Sequence, residues 1–290
     1  MADGLQYRTL TPKDLVQMHR SFVEAFSSYQ VSMKISKEAF DDRMLNKLNI
    51  RFDLSPGIFS GDKLVAFIFQ SVNAYEGELT AYNGGTGVIP GYTGQGLAAT
   101  MYEYIFPKLK KEGIEKCVLE VLRDNASAIR SYQKAGFEQV KLFQCLMLKD
   151  GVLKTTANQK IRVQEVSDFM VAEYAALATI KASWLDELSQ IKYHLSKETI
   201  LEHRVEGRLL GYLIFQPVNG RIAHLAVRSD QRGKGIATAL VTRAHILSES
   251  KTLSILNIEM KEEGVINFFM KLGFQRDLQQ FEMQKTLIDV

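Results

Sequence analysis

Apolar and polar residues alternate along the chain in short blocks whose period changes repeatedly between that of a strand and that of a helix. "LQYRTL", from Leu5, has the two-residue alternation of a strand. In "TPKDLVQMHRSFVEAFSSY" the spacing becomes helical, and Thr11 as N-cap with Pro12 at the first position predicts where the helix opens. A second short helix is expected over roughly 37–48. "RFDLSPGIFSGDKLVAFIFQSV" reads as a hairpin turning at Gly61-Asp62. A strand from Thr80 to Val88 follows, then a glycine-rich loop, a helix to about Lys111, the strand "KCVLEVL", a helix from Ala126 to Ala135 and a closing strand "EQVKLFQCLML". Strands and helices in this order predict an α/β (α+β) fold built on one mixed, mostly antiparallel sheet.

The whole order then repeats. "LEVLRDNASAIRSYQKAGF" from Leu119 is matched by "LNIEMKEEGVINFFMKLGF" from Leu256, and "GVIPGYTGQGLAATMYEYI" from Gly87 by "AVRSDQRGKGIATALVTRA" from Ala226. Gly96 and Gly235 lie 139 positions apart, Gly136 and Gly273 137, so the copies keep register but for two residues, as a duplicated domain does when a surface loop drifts. The hairpin recurs too, as "ILEHRVEGRLLGYLIFQPV". Two domains are expected, 1–150 and 161–290, joined by a linker at 151–160 within the polar, aperiodic stretch "KDGVLKTTANQK".

Composition narrows the classes. With 46% hydrophobic and 24% charged residues and five prolines in 290, the chain can bury two cores and has little room for disorder. The net charge of +3 is spread without a basic run, which argues against nucleic acid as a partner. The polar start "MADGLQYRTLTPKDL" and the lack of a long apolar run argue against a signal peptide or membrane span and for a cytoplasmic protein. Cys117 and Cys145 show no C-x-x-C or histidine spacing, so both are read as core residues and no metal is expected.

The repeated loop carries the first chemical signal. A strand ends at Val88, Gly94 and Gly96 make a turn, and a helix starts at once, so helix N–H groups carrying roughly half a positive charge are open to a phosphate. The spacing is neither that of G-x-x-x-x-G-K-S/T nor that of a dinucleotide-binding βαβ unit.

These residues resemble the GNAT acetyltransferase superfamily, whose hallmark is V-x-P followed by Q/R-x-x-G-x-G/A at a helix start. The first copy has Val88-Ile89-Pro90 and then Thr93, Gly94, Gln95, Gly96, Leu97 and Ala98; the second has Val227 and then Arg232, Gly233, Lys234, Gly235, Ile236 and Ala237. The resemblance implies that these loops hold the pyrophosphate of acetyl-CoA, and that backbone near Val88, where two strands splay into a V, meets its pantetheine arm. Thr93 departs from the usual Arg or Gln.

Acetyl transfer needs a neutral nucleophile and a proton for the departing thiolate. A lysine amine costs roughly 4 to 5 kcal/mol to deprotonate at pH 7, an α-amino group about 1. Alternation along "CVLEVL" sets Glu120 opposite Leu119 and Val121, making it the candidate base. Tyr132, twelve residues on, is the candidate acid, since L-E-V Glu and helix Tyr serve those roles in similar ribosomal-protein acetyltransferases. Asn125 is an N-cap, and the resemblance adds a cofactor contact. The second copy has Asn257, Glu262 and Phe269 in place of Glu120, Asn125 and Tyr132. His224 is read as either a base of the second copy or a structural histidine.

An N-acetyltransferase acting by direct attack on a small-molecule or peptide amine, with catalysis in the first domain, is therefore expected. Two alternatives remain open: catalysis in the second domain, as in the similar mycothiol synthases, or a non-catalytic acetyl-CoA-binding module. The family's acceptor region corresponds to "AFSSYQVSMKISKEAF" and "NAYEGELTAYNGG", with Tyr29, Met33, Tyr75, Glu76, Glu78 and Tyr82 as candidates.

Overall fold

A computed structural model describes residues 4–27, 35–155 and 157–288. The chain forms two compact units, Met1–Val140 with Phe281–Val290, and Lys141–Gln280.

In the first unit the elements are β1 (Leu5–Thr9), α1 (Leu15–Ala25), α2 (Lys37–Asp41), β2 (Pro56–Ser60), β3 (Lys63–Tyr75), β4 (Glu78–Val88), α3 (Leu97–Lys111), β5 (Lys116–Leu122) and α4 (Ala126–Lys134). The next strand, β6 (Glu138–Met147), enters the second unit at Lys141. That unit continues with β7 (Gln164–Val166), α5 (Val171–Leu177), α6 (Leu188–Ile191), β8 (Thr199–Val205), β9 (Arg208–Gln216), β10 (Arg221–Val227), α7 (Ile236–Leu247), β11 (Ser254–Glu259), α8 (Glu263–Lys271) and β12 (Gln275–Thr286). From Phe281 onward β12 belongs to the first unit. The division thus differs from a cut at 151–160: the chain changes unit inside β6 and β12.

The sheet of the first unit runs β1-β2-β3-β4-β5, with the end of β12 beside β5; that of the second runs β6-β11-β10-β9-β8-β7. The β1–β4 and β7–β10 neighbours are antiparallel, while β4 with β5 and β10 with β11 are parallel. Apolar faces alternate as the sequence pattern requires. Leu119, Val121 and Met283 join α3 and α4 in one core, and Phe215, Leu240 and Phe269 stand in that of the second unit.

The parallel pairings are short. β4 meets β5 from Thr80↔Lys116 to Asn83↔Leu119 only, although β4 continues to Val88. β10 meets β11 at Arg221↔Ser254 and Ile222↔Ile255 only, although β10 continues to Val227. Each strand carries an irregularity where pairing stops: Gly84 has no partner between Gly85↔Phe69 and Asn83↔Gln70, and Ala223 none between Ile222 and His224. An extra residue bends a strand and increases its twist. Both sheets therefore open into a V.

Two local expectations change. The segment 11–25 is a 3-10 turn, Pro12–Asp14, followed by α1, and 37–47 is α2 continued by a π-helical turn, Asp42–Lys47. "NAYEGELTAY" is the end of a long hairpin turning at Glu76 and Gly77, with φ of 55° and 89°. Tyr29 and Met33 lie outside the described residues.

Candidate active site and its counterpart

In the first unit, Gly94 and Gly96 have φ of 77° and 75°, a conformation that side-chained residues rarely adopt. A Cβ on either would meet nothing within 4 Å, so the protein leaves open space over the loop. The first N–H groups of α3 lack intrahelical acceptors and face that space. Leu97 anchors the helix, buried in the core, and Ala98 is half-buried; Thr93 and Gln95 are exposed, with Gln95 Nε2 donating to the Gly91 carbonyl at 3.3 Å. Val88 pairs with Ala66, and its other edge faces the open V. An anion with a narrow arm behind it fits these groups.

Glu120 lies on the face of β5 away from Leu119 and Val121 and accepts a hydrogen bond from the Tyr82 hydroxyl at 3.2 Å. Tyr132 is 8% exposed and sits in the core containing Leu119 and Val121, edge-on to Tyr102 and Phe137. The two candidates thus approach β5 from opposite faces, beside the V. Asn125 Oδ1 accepts from the Ala128 N–H at 3.1 Å and caps α4. Tyr102, whose hydroxyl burial pushes well above its ordinary pKa, accepts from Asn83 Nδ2 at 2.7 Å where β4 and β5 part.

Sequence reading missed Tyr82 as the partner of Glu120, and Glu282 altogether. Glu282 is 1% exposed and accepts from the Tyr75 hydroxyl at 2.7 Å. A lone acid between Phe281 and Met283 in a strand was the available signal. Glu76 and Glu78 contact the buried Lys116 at 3.9 and 2.5 Å. Tyr75 and both acids therefore have partners within the unit.

In the second unit the matching V opens into a cavity of about 720 Å³, lined by β10, β11, α8 and the loop containing Arg232, Gly233 and Gly235. Gly233 and Gly235 have φ of 77° and 89°, Ile236 is buried and Ala237 half-buried. Arg232 turns back, donating to the Val227 carbonyl at 3.3 Å and to Thr179 Oγ1 at 2.6 Å, and Lys234 donates to Gln231 at 3.0 Å. Phe269 is fully buried against Phe268 and Phe274. Asn257 has a φ of 55° at a register shift in β11, and its Nδ2 donates to Ser183 Oγ at 3.3 Å. Among the described residues no group of three or more His, Cys, Asp or Glu is placed to hold a metal, and no helix is long and apolar enough to cross a membrane.

Residues 16–137 match the model of the acetyltransferase (GNAT) family, and residues 196–276 that of the acetyltransferase (GNAT) domain. The chain belongs to the GNAT acetyltransferase family. Its two GNAT domains lie in tandem, each with its loop at the mouth of a V. A ribosomal protein bS18-alanine N-acetyltransferase of Escherichia coli (strain K12) is 34% identical over 80 residues, 28% of this chain and 51% of that protein. The chain thus spans about half the length of that curated relative. A GCN5-related N-acetyltransferase of Sphaerobacter thermophilus superposes with a TM-score of 0.69 at 15% identity, covering 100% of this chain and 99% of that one. A tandem GNAT protein from the clavulanic acid biosynthesis pathway gives 0.70 at 13%, covering 99% of each. At these identities the likeness is one of fold.

Proposed function

We propose that this GNAT protein transfers an acetyl group from acetyl-CoA to a primary amine, small molecule or peptide, and that the first unit performs the transfer. The observation that carries the assignment is Glu120 on the open part of β5, hydrogen-bonded to Tyr82, in the one repeat that also keeps a tyrosine at the α4 position.

In this reading the N–H groups at the start of α3 hold the pyrophosphate, with Gly94 and Gly96 admitting it. The unpaired edge of β4 near Val88 directs the thioester into the V. Glu120 takes the proton that the amine loses as it attacks, and Tyr132 supplies one to the departing thiolate. The E. coli relative acts on an alanine of ribosomal protein bS18, which supports an amine acceptor of amino-acid or peptide type.

A second reading gives the transfer to the second unit, and the 720 Å³ cavity there favours it. The loops separate the two. Gly96→Glu is expected to lower acetyl-CoA-dependent turnover of a basic amine by about tenfold or more, with Gly235→Glu having less effect, measured as thiol release. The reverse order supports the second unit.

A further inference from the structure

A second carboxylate stands beside the candidate base of the first unit. The Leu287 N–H donates to the Glu115 carbonyl at 2.8 Å. Leu287 lies just past the end of β12 and Glu115 just before the start of β5, so these neighbouring strands overlap only if they run antiparallel. Five residues on from Glu115 and five back from Leu287 then bring Glu120 and Glu282 directly opposite, with Cβ atoms roughly 5 Å apart. The faces agree. Phe281 and Met283 pack with Leu119 and Val121 in the core, which turns Glu120 and Glu282 together to the other side of the sheet. Each accepts from one tyrosine, Glu120 from Tyr82 at 3.2 Å and Glu282 from Tyr75 at 2.7 Å. Burial, with the charges of Glu282, Glu76 and Glu120, pushes the Tyr75 hydroxyl well above its ordinary range, so both carboxylates act on one hydroxyl. The buried cation of the same strand, Lys116, contacts Glu76 and Glu78 and lies roughly 13 Å along β5 from Glu120.

The second repeat supplies the comparison. At the offset of 137 residues that relates Gly136 to Gly273, Glu282 corresponds to Cys145 and Glu120 to Asn257. Those two residues also meet, Cys145 Sγ lying 3.7 Å from Asn257 Oδ1. The pair of positions is therefore kept in both units, and the second has lost both carboxylates together. Like charges opposed across strands destabilise a sheet, and burying a carboxylate adds to that, Glu282 being 1% exposed. A cost that one repeat carries and the other has shed points to a use in the first.

We propose that Glu282 is a positioning residue that strengthens Glu120 as a base, and that the first unit's acceptor is accordingly a strongly basic alkylamine, a cation at neutral pH. The inference rests on the first-unit reading with Glu120 as base. A fixed negative charge beside a carboxylate favours its protonated form, so Glu120 takes a proton from an alkylammonium more readily. A weakly basic amine has little need of this help. The ammonium loses one proton to Glu120, which passes it to water. The neutral nitrogen then bonds to the thioester carbonyl carbon and the carbon–sulfur bond breaks. Glu120 takes the second nitrogen proton, Tyr132 gives one to sulfur, and exchange with water restores both side chains. Glu282 acts through Glu120 and touches no reacting atom.

The test measures thiol release from acetyl-CoA by the full chain at pH 7 with n-butylamine and with glycinamide, whose α-amino group is far less basic. Glu282→Gln, which keeps an oxygen for the Tyr75 hydroxyl, is expected to lower kcat with butylamine about tenfold and with glycinamide at most about threefold, with KM for acetyl-CoA retained. Glu282→Asp, which keeps the charge, is expected to recover most of the loss. In a Glu120→Gln background, Glu282→Gln is expected to have no further effect, since one residue acts through the other. Equal falls with both amines, a change carried by KM, or additive losses overturn the proposal, as does unchanged kcat. A second outcome needs no variant: wild-type chain that acetylates glycinamide and not butylamine overturns it. Butylamine turnover that survives Glu120→Gln removes instead the first-unit reading on which the inference stands.

Discussion

Glu120 and Asn257 occupy matched places in the two repeats, yet their backbones differ. Glu120 stands in a regular strand, whereas Asn257 has a φ of 55°, where asparagine is among the few side-chained residues that settle without large strain. The change from glutamate to asparagine legible in the sequence therefore also coincides with a backbone conformation that asparagine adopts more readily, which side-chain comparison alone does not reveal. Asn257→Glu is expected to lower stability by about 1 to 2 kcal/mol in denaturant unfolding and to leave the second unit without new activity. Gained turnover with unchanged stability would contradict this. Asn125 was legible because a cap is a local signal that directly precedes its helix. Glu282 was not, since its partner Tyr75 is 207 residues away in sequence.

At the level of elements, the glycine loops and their helices were read correctly because glycine positions and helix starts are local, and both copies repeat them. The bulges were not, because a missing partner is a property of two strands. Gly84 shows what the bulge needs: a Cβ there would lie 2.7 Å from Leu48 Cδ1. Gly84→Val is expected to shift β4 against Leu48, narrow the V and weaken acetyl-CoA binding to the first unit by about tenfold in calorimetry. Unchanged affinity would remove the link between bulge and V. The turn at Glu76-Gly77 was missed because Glu-Gly is a weaker hairpin signal than Asn-Gly, and the surrounding polar run reads as loop. Its two acids, expected to face an acceptor, contact Lys116 instead.

At the scale of the molecule, duplication was legible throughout, and each repeat keeps the loop, the parallel strand pair and the helix after it. The unit boundaries were only partly so. Residues 281–290 complete the first unit, with Met283 and Leu287 in its core, and local patterning cannot tell which sheet a closing strand will join. The candidate side chains follow the same repeats: Glu120 and Tyr132 stand in the first, and Asn257 and Phe269 take their places in the second. Turnover of a basic primary amine by Tyr132→Phe is the most direct check of the first-unit assignment. The expected result is a fall in kcat of about tenfold or more with acetyl-CoA affinity retained. A kcat equal to that of the unsubstituted protein on the same acceptor would contradict it.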